Sequence, residues 1–556
     1  MLRFFQTAAQ GKAIFLASLS LMASTVALMP QRASSAERVY VSFSILERSI
    51  SVSALEAYAR EGIVDEDLAV YTQYFTPEQL EQLRQILLTR IDATPVAIAQ
   101  FLYSPQGQVL LDRLGQVIQT EARQSGFYAL RAALILAAAQ PEGLTLLNIL
   151  HQYPTNGLRV NLQAALNIAQ QLQTLIAQTR QTSAQIIAQA ALGEQQATSL
   201  TTPSPTFDVL PDVRRVGPNQ WSKQTLTLSD PRRNRTYPAD LYLPIGQSGM
   251  IPVVVISHGL GSDRLTYEYL AQHLASHGFA VAVPEHLGSS VAQREALVRG
   301  LAAEVAEPAE FINRPLDIQF LLDELTRLSA AGIASPGQLN LEQVGVVGQS
   351  FGGYTALTLG GAPINFERLL ADCNLTRRTW NVSLTLQCRA LELLGTQVET
   401  RDPRVKAAIA INPIASRILG ESGMQQIEIP VAIVTGSADT VAPMLPEQVL
   451  PFAWLNENID KYLVLLEGGT HFSTLQEGPD DIPLPPAVIG PDPVLARRYM
   501  EALSLAFFKT YIANQPAYRP FLGAAMARSL SQDTLPLYLI ESLDLTQLPP
   551  IPEGAL

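Results

Sequence analysis

The sequence predicts an α/β protein: a mostly parallel sheet with helices on both faces, preceded by an all-α module. Three observations carry this. From about Asn219 onward, solid apolar runs of buried-strand type alternate with helical segments. One of these runs, Val344–Val347, leads straight into Gly348-Gln349-Ser350-Phe351-Gly352, a strand, a sharp turn and the start of a helix. Between residues 37 and 180, by contrast, helix-start signals and Leu/Ala-rich faces recur.

Taken in order, residues 1–36 read as a secretory signal peptide. Arg3 and Lys12 precede an apolar, small-residue run from Ala13 to Met29, and Ala33-Ser34-Ser35-Ala36 offers a small-residue cut after Ala36. The alternative is an uncleaved anchor, since the run is marginal for spanning a bilayer. The run is not followed by a Cys, which argues against a lipid-anchored lipoprotein. The chain carries a net charge of −12, and three of its cations and none of its acids lie in this leader. A mature protein that acidic is a poor partner for nucleic acid or for anionic membrane surfaces.

Residues 37–180 read as the helical module. Arg38 to Ile45 alternates like a short strand. Thr76-Pro77-Glu78-Gln79 then combines a capping residue, Pro at the first helical position and Gln three residues after the cap. Leu80, Leu83 and Leu87 continue on one face. Thr94-Pro95 starts another helix, with Leu110, Leu111 and Leu114 near its end, and Asn161 to Thr179 forms a further one. Residues 181–218 turn polar around Thr201-Thr202-Pro203-Ser204-Pro205 and read as a linker.

Residues 219–515 read as the catalytic domain. Strands are expected at Lys223–Leu228, Pro238–Leu243, Ile251–Ser257, Phe279–Pro284, Val405–Ile411, Pro430–Thr435 and Tyr462–Leu466, besides the one before Ser350. Helices are expected at Tyr267–Ser276, near Arg314–Leu328 and at Val494–Tyr511. Residues 516–556 read as a C-terminal tail.

The pentapeptide at Ser350 is weak evidence alone, so its partners must be found. Small residues two positions either side of Ser350 let strand and helix approach and expose the hydroxyl at a helix N-terminus. That arrangement suits acyl transfer through a serine nucleophile. In such a sheet the chain order is nucleophile, acid, then base. Of the six His, at 151, 258, 273, 277, 286 and 471, only His471 follows Ser350, and it lies in the loop after an apolar strand. Asp439 follows another strand in a turn-rich loop and is the expected acid; Asp372 and Asp402 are rivals beside an insertion. The oxyanion donors are expected to be the N–H groups of Phe351 and of Leu260, in Ser257-His258-Gly259-Leu260-Gly261. His258 precedes the nucleophile and reads as structural.

Cys373 and Cys388 are the only cysteines. In an exported chain such a pair predicts a disulfide, the alternative being two free buried thiols. They sit in residues 361–404, a long interruption after the nucleophile helix, read as a lid or pocket wall or else as surface decoration. No Cys/His group has metal-ligand spacing, and the chemistry requires neither metal nor organic cofactor.

These residues resemble the α/β-hydrolase superfamily. Ser257-His258-Gly259-Leu260-Gly261, Leu274-Ala275-Ser276-His277-Gly278-Phe279, Glu285-His286 and the Ser350 segment are similar to platelet-activating-factor acetylhydrolases and dienelactone-hydrolase-like esterases, although Gln349 replaces the usual His. Acetylhydrolases place their acid after the strand that ends here at Ile411, where this chain has Asn412. The Asp439 segment with Gly468-Gly469-Thr470-His471-Phe472 instead resembles bacterial cutinases and polyester hydrolases. The helical module resembles a domain of unknown function found ahead of such hydrolases, and a partner for it is open. The resemblance implies an exported serine hydrolase of carboxylic esters, lipid or short-acyl. The alternatives are a polyesterase or dienelactone-type enzyme, and a catalytically silent binding protein. A histidine base requires activity to fall at acid pH.

Overall fold

The computed structural model describes residues 35–91, 93–199, 212–247, 249–332, 339–373, 381–478 and 485–549. Most of the expected leader, residues 1–34, lies outside them. Within them, no helix is long and apolar enough to cross a membrane. The chain divides into two compact units, one taking in residues up to Ala99 and Leu110–Asn167, the other Gln100–Val109 and Ile168 onward.

The first unit is not all-α. It contains a four-stranded sheet of β1 (Arg38–Phe43), β2 (Leu46–Ser51), β3 (Ile118–Thr120) and β4 (Gly157–Asn161), in the order β2-β1-β4-β3. Only β1 carries an alternation that sequence can show. β3 has three residues, and β4 pairs with β1 across more than a hundred residues of chain, so neither leaves a local signal. The helix Pro77–Leu88 begins as expected, with the Thr76 and Gln79 side chains each bonded to the other's backbone N–H. The next expected helix is two. Pro95–Tyr103 ends where Pro105 starts Pro105–Val117, because Pro has no N–H with which to continue the first.

Two boundaries of the second unit also move. The helix Leu162–Ser199 runs on through residues expected to be linker. Its Gln and Ala are good helix formers, and Ile186 and Ala190 are buried in the core. The expected tail supplies the helix Ala524–Leu530 and an edge strand of the main sheet. Pro-rich composition hid a strand only four residues long.

The main sheet has nine strands among the described residues. These are β5 (Trp221–Asp230), β6 (Arg235–Pro244), β7 (Ile251–Ser257), β8 (Ala280–Pro284), β9 (Leu339–Gln349), β10 (Val405–Ile411), β11 (Val431–Gly436), β12 (Lys461–Leu466) and β13 (Leu537–Ile540). Their order is β13-β12-β11-β10-β9-β7-β8-β6-β5. The six strands from β12 to β8 are mutually parallel, with β6, β5 and β13 antiparallel at the edges. Alternate residues serve opposite cores. Val254 and Ile256 face the helices Glu268–Ser276 and Pro493–Tyr511, while Val253 and Val255 join the core of the helix Glu310–Ala330. Cover on both faces explains the unbroken apolar runs. The chain has an α/β-hydrolase fold, whose reactive groups belong at the C-terminal ends of the parallel strands.

Burial creates a pH liability in this unit. His273 lies 4% exposed within the helix Glu268–Ser276, and burial, with His277 nearby, pushes its imidazole down to about 3. In the unfolded chain it protonates near the ordinary value of about 6.5. The unfolded state therefore binds the extra proton, and stability falls as pH drops below about 6.5, continuing towards 3. At pH 4.5 the loss from this residue is on the order of 3 kcal/mol. Thermal melts at pH 7 and 4.5 should differ less in His273→Gln than in the parent; an unchanged difference would contradict the assignment.

Candidate active site

The nucleophile turn is built by close approach. β9 ends at Gln349 and a helix begins at Phe351; Ser350 between them has φ +55° and ψ −114°. That strained conformation costs on the order of 1–3 kcal/mol. It is held by Ser350 N–H bonding to the Ile411 carbonyl at 2.8 Å, and by the Tyr354 N–H bonding to the Ser350 carbonyl at 3.1 Å. A Cβ at Gly348 would lie 2.0 Å from the Gly352 carbonyl oxygen, and one at Gly352 would lie 2.0 Å from that of Ser257. Only glycine fits either position.

The structure brings Ser350, His471 and Asp439 together, all of them buried. His471 Nε2 is 2.9 Å from Ser350 Oγ, and Nδ1 is 2.8 Å from Asp439 Oδ2. Asp439 is otherwise surrounded by donors. Asn412 Nδ2 donates to Oδ2 at 2.8 Å, and the Val441 and Ala442 N–H groups donate to Oδ1 at 2.9 and 2.8 Å. The carboxylate leaves His471 Nδ1 as a donor, so Nε2 is the acceptor that faces the Ser350 hydroxyl. The two loops clasp each other. The Ala438 N–H donates to the Gly469 carbonyl at 2.8 Å, and a Cβ at Gly436 would lie 2.3 Å from that same oxygen. Gln349 Nε2 donates to the His471 carbonyl at 3.0 Å, tying the His471 loop to the turn at Ser350.

Leu260 and Phe351 follow the C-terminal ends of β7 and β9, which pair directly. The first N–H groups of a helix have no intrahelical acceptor, which leaves that of Phe351 available. Among the described residues the Leu260 N–H makes no backbone hydrogen bond, whereas its neighbour Gly261 donates to the Ser289 carbonyl at 2.7 Å. His258 is fully buried. Its Nδ1 bonds the Gly259 carbonyl at 2.8 Å, and its Nε2 accepts the His286 N–H at 3.0 Å. Burial, first of all, and the Arg314 cation hold it well below the usual histidine range. It is therefore neutral and occupied by backbone. The rival acids are taken by arginines: Asp402 pairs with Arg404 at 2.6 Å and Asp372 with Arg417 at 2.7 Å.

Cys373 and Cys388 are joined in a disulfide, with Cα atoms 5.6 Å apart. The insertion around them is anchored by Glu447, a fully buried carboxylate in the π-helical turn Leu445–Val449. Glu447 accepts bonds from Asn381 and Gln387 of the insertion, and from the Ala415 and Ser416 N–H groups after β10. The Ser383 N–H donates to the Val441 carbonyl at 3.1 Å, beside Asp439.

A hydroxyl with a base, a base with a carboxylate, and two N–H groups alongside form a set able to attack a carbonyl and hold the resulting oxyanion. Sequence reasoning missed the supporting residues. Asn412, directly after an apolar strand, was the one visible signal. Gln349 and Glu447 had none, because their partners lie more than thirty residues away.

Comparison with known proteins agrees with this architecture. Residues 219–316 match the family "Platelet-activating factor acetylhydrolase, isoform II", and residues 35–161 match "Alpha/beta hydrolase of unknown function (DUF1400)". The second match falls on the N-terminal segment rather than on the large sheet. Both end before Ser350. A platelet-activating factor acetylhydrolase from Cavia porcellus is 26% identical, the match covering 22% of this chain and 34% of that protein. One from Canis lupus familiaris is 39% identical over 13% of this chain and 16% of its own length. The chain thus spans about a third and about a sixth of the length of these two curated relatives, and is similar to them in that segment.

Proposed function

We propose that the chain is an exported serine esterase. The observation that carries this is the unbroken hydrogen-bonded series from Asp439 through His471 to Ser350; the Leu260 and Phe351 N–H groups are the oxyanion donors of this reading. His471 Nε2 takes the Ser350 proton as Oγ attacks the ester carbonyl. The two N–H groups hold the oxyanion, and His471 passes the proton to the leaving alcohol. A water deprotonated by His471 then releases the acyl group and restores Ser350. Asp439 holds the reactive tautomer and stabilises the imidazolium.

Similarity to acetylhydrolases over residues 219–316 favours lipid or short-acyl esters as substrates. A second reading, a hydrolase of non-lipid polyesters, draws on the acid standing after β11 while Asn412 occupies the place after β10. The described parts of the insertion, residues 361–373 and 381–404, act as a fixed pocket wall rather than a swinging lid, since the disulfide and buried Glu447 fasten them beside the acid loop. The disulfide also supports an oxidising compartment, hence export.

The test is hydrolysis of p-nitrophenyl esters from acetyl to palmitoyl, alongside labelling by a fluorophosphonate and mass mapping of the labelled peptide. Short-chain activity with label on Ser350 is the expected result. A long-chain preference would shift the substrate to lipase-type esters. No hydrolysis and no label would leave a binding protein on a hydrolase fold and overturn the proposal.

A further inference from the structure

The first turns of the helix Glu310–Ala330 carry buried charges that the mechanism above does not use. Arg314 is 0% exposed, and it touches both segments that supply the oxyanion N–H groups. Its Nη2 donates to the His258 carbonyl, two residues before Leu260. Its guanidinium carbon lies 4.5 Å from the centre of the Phe351 ring. Phe311, from the same helix, packs edge-on against that ring with centres 4.7 Å apart. The helix also braces the far side of the oxyanion loop. Glu310 accepts the Ser289 hydroxyl at 3.0 Å, and the Ser289 carbonyl holds the Gly261 N–H. Pro315 adds a further tie. It has no N–H to offer the Phe311 carbonyl, and Tyr354 of the nucleophile helix donates its hydroxyl there at 2.9 Å.

The neighbouring carboxylates do not depend on Arg314 for neutralisation. Glu310 pairs with Arg235 at 3.1 Å, and Asp317 pairs with Arg233 at 2.7 Å and Arg235 at 2.9 Å. Among the described residues Arg314 Nε and Nη1 have no hydrogen-bond acceptor. Burial lowers its pKa to about 10, so the charge persists at neutral pH. A buried cation is costly unless it serves a partner. Its hydrogen bond goes to the loop backbone, behind the place where negative charge develops.

We propose that Arg314 is a positioning residue of the oxyanion site, joining the His258–Leu260 loop to Phe351 so that their two N–H groups converge. This rests on the serine-esterase reading above. Oxyanion donors act in the transition state and hardly at all on substrate binding. Misplacing them therefore lowers kcat and spares KM.

The experiment compares the full chain with Arg314→Met and Arg314→Lys. Each is read as kcat per fluorophosphonate-titrated site, KM, and the inhibition constant of phenylboronic acid, whose tetrahedral adduct mimics the oxyanion. In Arg314→Met, kcat per site falls about 10–100-fold, KM stays within about twofold, and boronate inhibition weakens in step with kcat. Arg314→Lys keeps the cation without the planar fork and shows a smaller loss of the same kind; it decides the matter if the Met variant does not fold. A folded variant with the parent's kcat per site, or one that merely has fewer titratable sites, overturns the proposal while leaving the esterase reading intact. A parent chain that neither hydrolyses esters nor takes the label overturns both.

Discussion

On the proposed mechanism, Ser350→Ala is expected to lower kcat about 10⁶-fold and Asp439→Asn about 10⁴-fold, with KM changed little in either. The serine variant removes the proposed nucleophile. The asparagine variant is the sharper test, because its effect follows from hydrogen-bond directions alone. Asp439 receives donors on both oxygens: His471 Nδ1 and Asn412 Nδ2 on one, the Val441 and Ala442 N–H groups on the other. An amide has one acceptor end. If its oxygen stays with the backbone donors, its NH₂ faces the His471 Nδ1–H and the Asn412 amide. The imidazole then shifts its proton to Nε2, where it can no longer accept from Ser350. If the amide turns the other way, its NH₂ meets two backbone N–H groups that cannot move. The first orientation keeps the packing and both backbone bonds, so it is the one the variant adopts, and the melt should stay close to the parent's while turnover collapses. Retention of more than about a tenth of the parent kcat would remove Asp439 from the acid role. Because the three residues work as a unit, the double variant should lose little more than Ser350→Ala alone.

How much of this was legible beforehand depended on whether the signal was local. The six parallel strands are short apolar runs flanked by turns, and the sequence placed β7 and β10 with the observed ends. Chain order singled out His471, since no other His follows Ser350. Asp439 was read from its place after a strand, and it stands within bonding distance of His471. The first unit's β3 and β4 were invisible because their pairing is set by distant partners. Gln349 stands in the sequence only as a replacement for the usual His. Its grip on the His471 carbonyl exists only once two loops 122 residues apart have met. Arg314 was seen only as the start of a helix, with nothing local to mark it as a contact of His258 and Phe351. Chemistry-bearing residues at strand ends announce themselves; the residues that hold them in place do so through long-range contacts.

Gly352→Ala should lower both stability and turnover, by a different route from Ser350→Ala and Asp439→Asn. The added Cβ would sit 2.0 Å from the Ser257 carbonyl oxygen, 2.7 Å from its carbon and 2.8 Å from the His258 oxygen. All three are backbone atoms at the end of β7, so no side chain can swing aside. The end of the strand, with the oxyanion loop that follows, must move away from the nucleophile helix. Overpacking of well-filled sites costs about 1–3 kcal/mol, and more where backbone must shift. A loss near the upper figure lowers the melting temperature of a unit this size by roughly 4 °C. The folded fraction still suffers, because a displacement of about 1 Å at the reacting groups costs about 10²-fold in rate. Gly259→Ala is the matched control. Its Cβ would meet Gln349 Oε1 at 2.2 Å, the free end of a side chain that can rotate. That variant should melt near the parent, yet lose part of its kcat as Gln349 lets go of the His471 carbonyl. Melts and kcat measured on the pair distinguish a rigid backbone contact from a yielding one. A Gly352→Ala protein with parental melting temperature and turnover would mean that β7 and the nucleophile helix are not in that contact.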